Sequence, residues 1–205
     1  APFAVVSTGT WVISMAVGGD AVTLDPRRDL LVNVAANGQP VPSARFMGGR
    51  EYEIVRAGSD AKPTDADRAA VLDHGVMILP SVEAGSGPFP GHAFRWQGAP
   101  QTEGERMAAL SWYLALMTDT CLGLIGARGP TIIEGPFARN PDYCAMLAAL
   151  RPEGVEVAAS TTGTSVGAAL LVLDHVAPPA TTKIPQPDGA GVLRDYAARW
   201  RQAVG

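Results

Sequence analysis

The sequence predicts an α/β domain whose sheet is antiparallel at one edge and parallel at the other. Three observations carry this reading. The chain opens with three short β-branched runs, it alternates helical and strand patterns from residue 103 onward, and a stretch of different texture, about 39–102, separates the two. With 205 residues, 47% apolar and 18% charged, one domain, or one domain with a large insertion, buries a sizeable core.

Residues 3–7 form an apolar run, Thr8-Gly9-Thr10 supplies turn chemistry, and 11–17 follow as a second run, which together read as a β-hairpin. Asp25-Pro26 breaks the pattern, and a third strand spans 30–35, ending at Asn37-Gly38. The region 39–102 is expected as an insertion holding helices near 49–57 and 64–74 and a short strand at 76–79. Its residues 81–100 are rich in Pro and Gly and resist regular structure. There Phe89, Phe94 and Trp96 either line a pocket or pin the loop to the body. A long helical pattern then runs from 103 to about 126, followed by a buried strand at 131–133. Asn140-Pro141-Asp142 opens a helix with Pro in its first turn. A strand at 155–157, an apolar helix at 165–173, a proline-rich tail and an amphipathic helix at about 189–203 complete the chain. Strand, strand, strand, helix, strand, helix, strand, helix is the order of the ribonuclease H-like fold, which recurs in actin, hexokinases and related phosphotransferases. The expected class is therefore a ribonuclease H-like α/β domain with a large insertion after its third strand.

Composition excludes several functions. The formal charge is −4 and the arginines are scattered, which argues against a nucleic-acid binder. No uninterrupted apolar run approaches eighteen residues, so no membrane span is expected. Three separated histidines (His74, His92, His175) and two cysteines (Cys121, Cys144) give no zinc-type spacing, and no metal site is assigned to this chain. The cysteines read as buried free thiols of a cytoplasmic protein. Asp20 and Asp25 read as ordinary loop acids. The chain has no initiator Met and enters a strand at residue 3, as though it began in the middle of a longer protein.

Two segments carry chemistry. Ser7-Thr8-Gly9-Thr10-Trp11 is a turn of small hydroxyl residues around a glycine, a shape that suits phosphate oxygens as well as a plain hairpin. Glu134-Gly135-Pro136-Phe137-Ala138-Arg139-Asn140-Pro141 lies between a strand end and a helix start, where open α/β sheets bind ligands. There Asn140 also suits an N-cap, and Glu134 is read as structural or directed toward a ribose. Together these segments resemble the C-terminal domain of the FGGY family of carbohydrate kinases. The first looks like that family's second phosphate loop, usually Ser-x-Gly-Thr-Trp. The second is similar to its adenosine segment, commonly Gly-Gly-Gly-Ala-Lys-Asn-Pro. A third, Ser165-Val166-Gly167-Ala168-Ala169-Leu170, resembles the Leu-Gly-Ala-Ala-Leu of the last core helix. The resemblance spans roughly residues 3–175 and leans toward kinases of rhamnulose, fuculose and similar ketoses.

The resemblance implies ATP with Mg²⁺ as cofactors and a small sugar, a ketose or polyol, as substrate. Ser7, Thr8, Gly9 and Thr10 would hold the phosphates, and Gly135, Phe137 and Asn140 would meet the adenosine. Pro136 and Phe137 depart from the family's glycines, removing one N–H and adding bulk beside the adenine. The family's aspartate base and its first phosphate loop, with the acid that organises Mg²⁺, would precede Ala1. The chain is thus expected to be the nucleotide-binding lobe of a two-lobe kinase, to lack a catalytic residue of its own, and to be inactive without the N-terminal lobe. Pairing of two copies through the exposed face between lobes is left open. Two other readings stand beside this one. A domain of the same fold could bind nucleotide or sugar without catalysis. Gly163-Thr164-Ser165-Val166-Gly167 also matches the nucleophile elbow of serine hydrolases, but the only later histidine, His175, adjoins its acid Asp174, which suits no triad.

Overall fold

The β-branched run at the start of the chain folds as expected: β1 (Phe3–Thr8) and β2 (Val12–Val17) pair antiparallel from Phe3↔Val17 to Thr8↔Val12. Alternate residues of both strands are fully buried, which fixes the register because a one-residue slip would turn Ala4, Val6 and Ala16 outward. The structure, a computed structural model, describes residues 1–159 and 180–205. Its main sheet has seven strands among the described residues.

The third predicted strand does not pair with β2. β3 (Leu30–Val34) turns through Asn37-Gly38 into β4 (Pro40–Phe46), and β4 lies between β3 and β2. The expected insertion therefore begins with a strand of the main sheet. Pro40 and Pro42 hid it, since proline is rare inside sheets. Both lie beyond Ser43–Phe46, the part of β4 that pairs β2, where the strand has an open margin.

On the other side of β1 the sheet is parallel. β7 (Thr131–Glu134) pairs with β1, and β8 (Val155–Ala158) pairs with β7. β9 (Thr181–Ile184) adds an antiparallel edge that the flanking prolines concealed in the sequence. β5 (Met77–Leu79) and β6 (Arg95–Gln97) form a separate two-stranded sheet.

Five helices complete the described fold: α1 (Gly48–Arg56), α2 (Asp65–Asp73), α3 (Glu103–Leu124), α4 (Pro141–Leu150) and α5 (Ala190–Val204). α3 is apolar around its circumference and meets the length and composition of a membrane span, yet 78% of its apolar window is buried inside the fold. Leu110, Leu114 and Met117 make it the centre of the core, packed between the sheet and α1, α2 and α4. Asp67 ties two helix starts together: it completes the capping box of α2 with Thr64 and accepts the hydroxyl of Thr102, the N-cap of α3, at 2.6 Å. The Thr102 and Thr64 hydrogen bonds lower its carboxyl to about 2.

Of the loop aromatics, Phe89 both pins the loop to the body and lines a cavity of about 380 Å³ beside α5. Phe89 packs edge-on against Trp200 of α5 with centroids 5.7 Å apart, and Phe94 meets Trp96 at 6.3 Å. Trp200 and Tyr196 in turn donate to the Ile78 and Val76 carbonyls. His92 contacts the Val204 carbonyl and His74 caps α2, both structural positions. Asp20 pairs with Arg128, and Asp25 caps a short 3-10 turn, as ordinary loop acids do. Both cysteines are free and buried; burial pushes the Cys144 thiol up to about 11 and Cys121 higher still.

Candidate functional site

The two chemistry-bearing segments meet at the mouth of one cleft. β1 and β7 are neighbours in the sheet, so the turn after β1 and the loop after β7 leave from the same edge. Thr8 locks them together: its hydroxyl donates to the Glu134 carbonyl at 2.6 Å and accepts from the Phe137 N–H at 3.1 Å. Gly135 makes this approach possible. Its φ of 87° lies in the left-handed region, and a Cβ there would stand 2.0 Å from the Thr8 carbonyl oxygen.

A third element seals the site. The N-terminus of α1 docks on the hairpin turn, where Gly49 N–H donates to the Thr10 carbonyl at 3.1 Å. A Cβ on Gly49 would lie 2.2 Å from the Gly9 carbonyl oxygen, so only glycine fits. Met47, at the N-cap of α1, makes no side-chain capping bond. The first turn of α1 thus presents the positive end of its backbone dipole beside Gly9 and Thr10.

Between these elements lies a cleft of about 1060 Å³, walled by Gly9 and Thr10, by α1 and the connection to α2, and by residues 136–142. Of the residues expected from sequence, Gly9, Thr10, Phe137 and Asn140 line it; Ser7, Thr8 and Gly135 do not. Thr8 is buried and has its hydroxyl engaged within the protein. Phe137 is only 6% exposed, its ring held between Tyr52 and Tyr143 at 5.8 and 5.4 Å, so most of it belongs to the core. Asn140 is the N-cap of α4. Its Oδ1 accepts from the N–H groups of Asp142 and Tyr143 at 3.1 and 3.0 Å, and its Nδ2 donates to Ser111 Oγ at 2.9 Å. The Glu134 side chain is not part of the cleft wall.

Charges along the cleft are mostly matched. Arg56 holds both Glu53 and Asp60. Arg68 grips the buried Asp142 through two nitrogens, at 2.5 and 3.1 Å, and Arg50 pairs with Glu83. Beneath α1, Glu51 is fully buried; burial raises its carboxyl to about 7, against hydrogen bonds from the Glu83 N–H and the Tyr113 hydroxyl at 3.1 Å each. Among the described residues no cluster of three or more His, Cys, Asp or Glu side chains converges as a metal cage would require.

Sequence reasoning missed the α1 wall, namely Gly49, Arg50, Tyr52 and the connection through Lys62. The signal was present: Gly48-Gly49 lies between a strand and a helix, a pattern that permits close backbone approach. Reading 39–102 as an insertion removed it from consideration. Ser165, its elbow pattern, His175 and the third family-like segment lie outside the described residues.

Residues 1–181 match the family model described as "Carbohydrate kinase FGGY, C-terminal domain". The chain belongs to the FGGY carbohydrate kinase family. Solved structures agree. A carbohydrate kinase from Novosphingobium aromaticivorans is 40% identical over 100% of the chain, with a TM-score of 0.87. Gluconate kinase from Lactobacillus acidophilus and xylulose kinase from Bifidobacterium adolescentis share the fold at TM-scores of 0.74 and 0.68, at 12% and 17% identity over 98% and 99% of the chain. This FGGY domain spans 46%, 46% and 44% of those three chains. No curated protein sequence matches the chain.

Proposed function

We propose that the intact protein transfers the γ-phosphoryl group of ATP to a hydroxyl of a small sugar, a ketose or polyol, and that this chain is its nucleotide-binding C-terminal lobe. The observation that carries the reading is the cleft in which the hairpin turn, the glycine start of α1 and the loop before α4 converge. Its volume of about 1060 Å³ suits a nucleotide. At one end the hairpin turn and the start of α1 meet backbone to backbone at Gly9, Thr10 and Gly49, which sets the positive end of the helix beside the turn and suits phosphate oxygens. Thr10, exposed at the turn, offers its hydroxyl to the same oxygens. Tyr52, Phe137 and Pro136 give the other wall an apolar surface for a base. Phe137 acts here through its exposed edge, and Asn140 holds the wall in shape by capping α4.

In this reading the sheet strands β4-β2-β1-β7-β8 are a ribonuclease H-like core, with β3 and β9 added at its edges. Mg²⁺, when bound with ATP, neutralises charge on the phosphates. Its protein ligands, and the base that takes the sugar proton, belong to a preceding lobe. Phosphoryl transfer depends on positioning and charge stabilisation from both sides of a cleft. This lobe's part is to fix the nucleotide through Gly9, Thr10 and the α1 start, and to exclude water when the lobes close.

The test is a coupled assay of the intact protein with ATP and a panel of ketoses, polyols and aldonates. Sugar-dependent ADP formation is expected, with none from the 205-residue chain alone. Nucleotide binding without turnover of any sugar would favour a non-catalytic binding module instead.

A further inference from the structure

We propose that Glu51 is the positioning residue that seats the first turn of α1 against the hairpin turn, and that release of its proton lets α1 lift and opens the cleft wall. The proposal takes its reporting ligand from the nucleotide reading above and concerns a side chain that lies outside the cleft.

The geometry begins with the loop that the sequence marks as rich in Pro and Gly. Residues 81–89 pass over the junction of β4 and α1 as a strap. Ser86 Oγ accepts from the N–H of Met47, the N-cap residue of α1, at 3.1 Å. Gly87 N–H donates to Asp29 at 2.8 Å, and the Pro88 carbonyl accepts from Arg28 at 2.8 Å, which fastens the strap beside β3. Glu51, one helical turn after Met47, makes the central tie. Its Oε1 accepts from the Glu83 N–H of the strap and its Oε2 from the Tyr113 hydroxyl of α3, each at 3.1 Å. One carboxyl thus joins α1, the strap and α3, two residues beyond the Gly49 that docks on the turn.

The tie depends on a proton. Glu51 is fully buried. The groups around it are the Val82 and Glu83 N–H groups and the Glu83 carboxylate of the strap, and Tyr113 and Cys121 of α3. On its own helix, Arg50 is engaged by Glu83, and Arg56 by Glu53 and Asp60. Among the described residues no Lys, Arg or His pairs with Glu51. A protonated carboxyl suits this setting, whereas a carboxylate is a buried charge without a cation, relieved by reaching water. Moving α1 outward gives Glu51 that water and breaks the bond from Gly49 to Thr10, so the same step undoes the wall. The seated state binds more protons than the lifted one. Seating therefore weakens as pH rises from about 4.5 to about 7 and then levels off.

Calorimetric titration of the intact protein with ATP and Mg²⁺ between about pH 5 and about pH 8, beside the same titration of Glu51→Gln, tests this. Gln keeps an acceptor for the Glu83 N–H and has no proton to lose. The ratio of the parent's Kd to the variant's should rise about fivefold or more across that range, and the protonation of ATP itself cancels in the ratio. Glu51→Ala, which removes the tie, should weaken ATP about tenfold or more at either end. Amide hydrogen exchange without nucleotide reads the same step. From the low to the high pH the parent should lose more protection in α1 than in α3, relative to Glu51→Gln, whereas a merely structural role would lower both alike. ATP binding with a constant ratio, or parent-like affinity in Glu51→Ala, overturns the proposal. Absence of ATP binding at every pH overturns the nucleotide reading instead. Exchange then decides the proposal, and equal α1 protection in parent and Glu51→Gln sinks it.

Discussion

Glu51 lies fully buried under the α1 wall, with its carboxyl raised to about 7 chiefly by burial. A raised carboxyl means that the folded state holds a proton which the unfolded chain releases near its ordinary value of 4.5. The native state therefore binds more protons between about 4.5 and 7, and stability falls as pH rises through that window before levelling off. The loss for this one group is on the order of 3 kcal/mol. Glu51→Gln keeps an acceptor for the Glu83 N–H but no charge; its thermal midpoint should exceed the parent's at pH 8 and match it near pH 5. Thr8 gives a second prediction. Thr8→Val would strand the buried Phe137 N–H and the Glu134 carbonyl, costing about 1–3 kcal/mol of stability measured by denaturant unfolding. Thr10→Val, by contrast, should lower kcat/KM of the intact protein in the proposed phosphoryl transfer more than its affinity for adenosine. Equal losses would remove Thr10 from a phosphate role.

Elements position these residues, and the approach of α1 to the hairpin turn is the tightest constraint. Gly49→Ala places a Cβ against backbone at Gly9 and Thr10, which cannot swing aside as a side chain could. It should shift α1 outward and weaken ATP by tenfold or more, with a smaller loss of thermal stability. How much of this was legible in the sequence follows from the elements themselves. The hairpin β1–β2, the apolar α3 and the Asn-Pro start of α4 each carry a strong local signature, and each folds where its pattern places it. β4 and β9 were concealed because prolines interrupt or flank them while their pairing partners, β2 and β8, supply order from outside the segment. Losing β4 turned its downstream helices into an apparent insertion and took α1 out of the site. The hairpin and α4 segments were found as candidates, yet their internal roles were not legible. Whether Thr8 and Asn140 face a ligand or bond within the fold depends on partners 126 and 29 residues away.

At the scale of the whole molecule, the proposed function makes this domain one wall of a two-lobe cleft. The chain spans less than half of the solved kinases it resembles, and its cleft joins the hairpin turn and the start of α1, while among the described residues no group of acids converges as a metal site would require. That division predicts a nucleotide lobe that recognises ATP and waits on a second lobe for the base. The central claim is that the cleft between the β1–β2 turn, α1 and α4 binds nucleotide. Calorimetric titration of the intact protein with ATP and Mg²⁺ tests it most directly. The predicted result is saturable one-to-one binding, with affinity between about 1 μM and 1 mM, weakened at least tenfold by Gly49→Ala. No saturable heat up to millimolar ATP, or binding that Gly49→Ala leaves untouched, would contradict it.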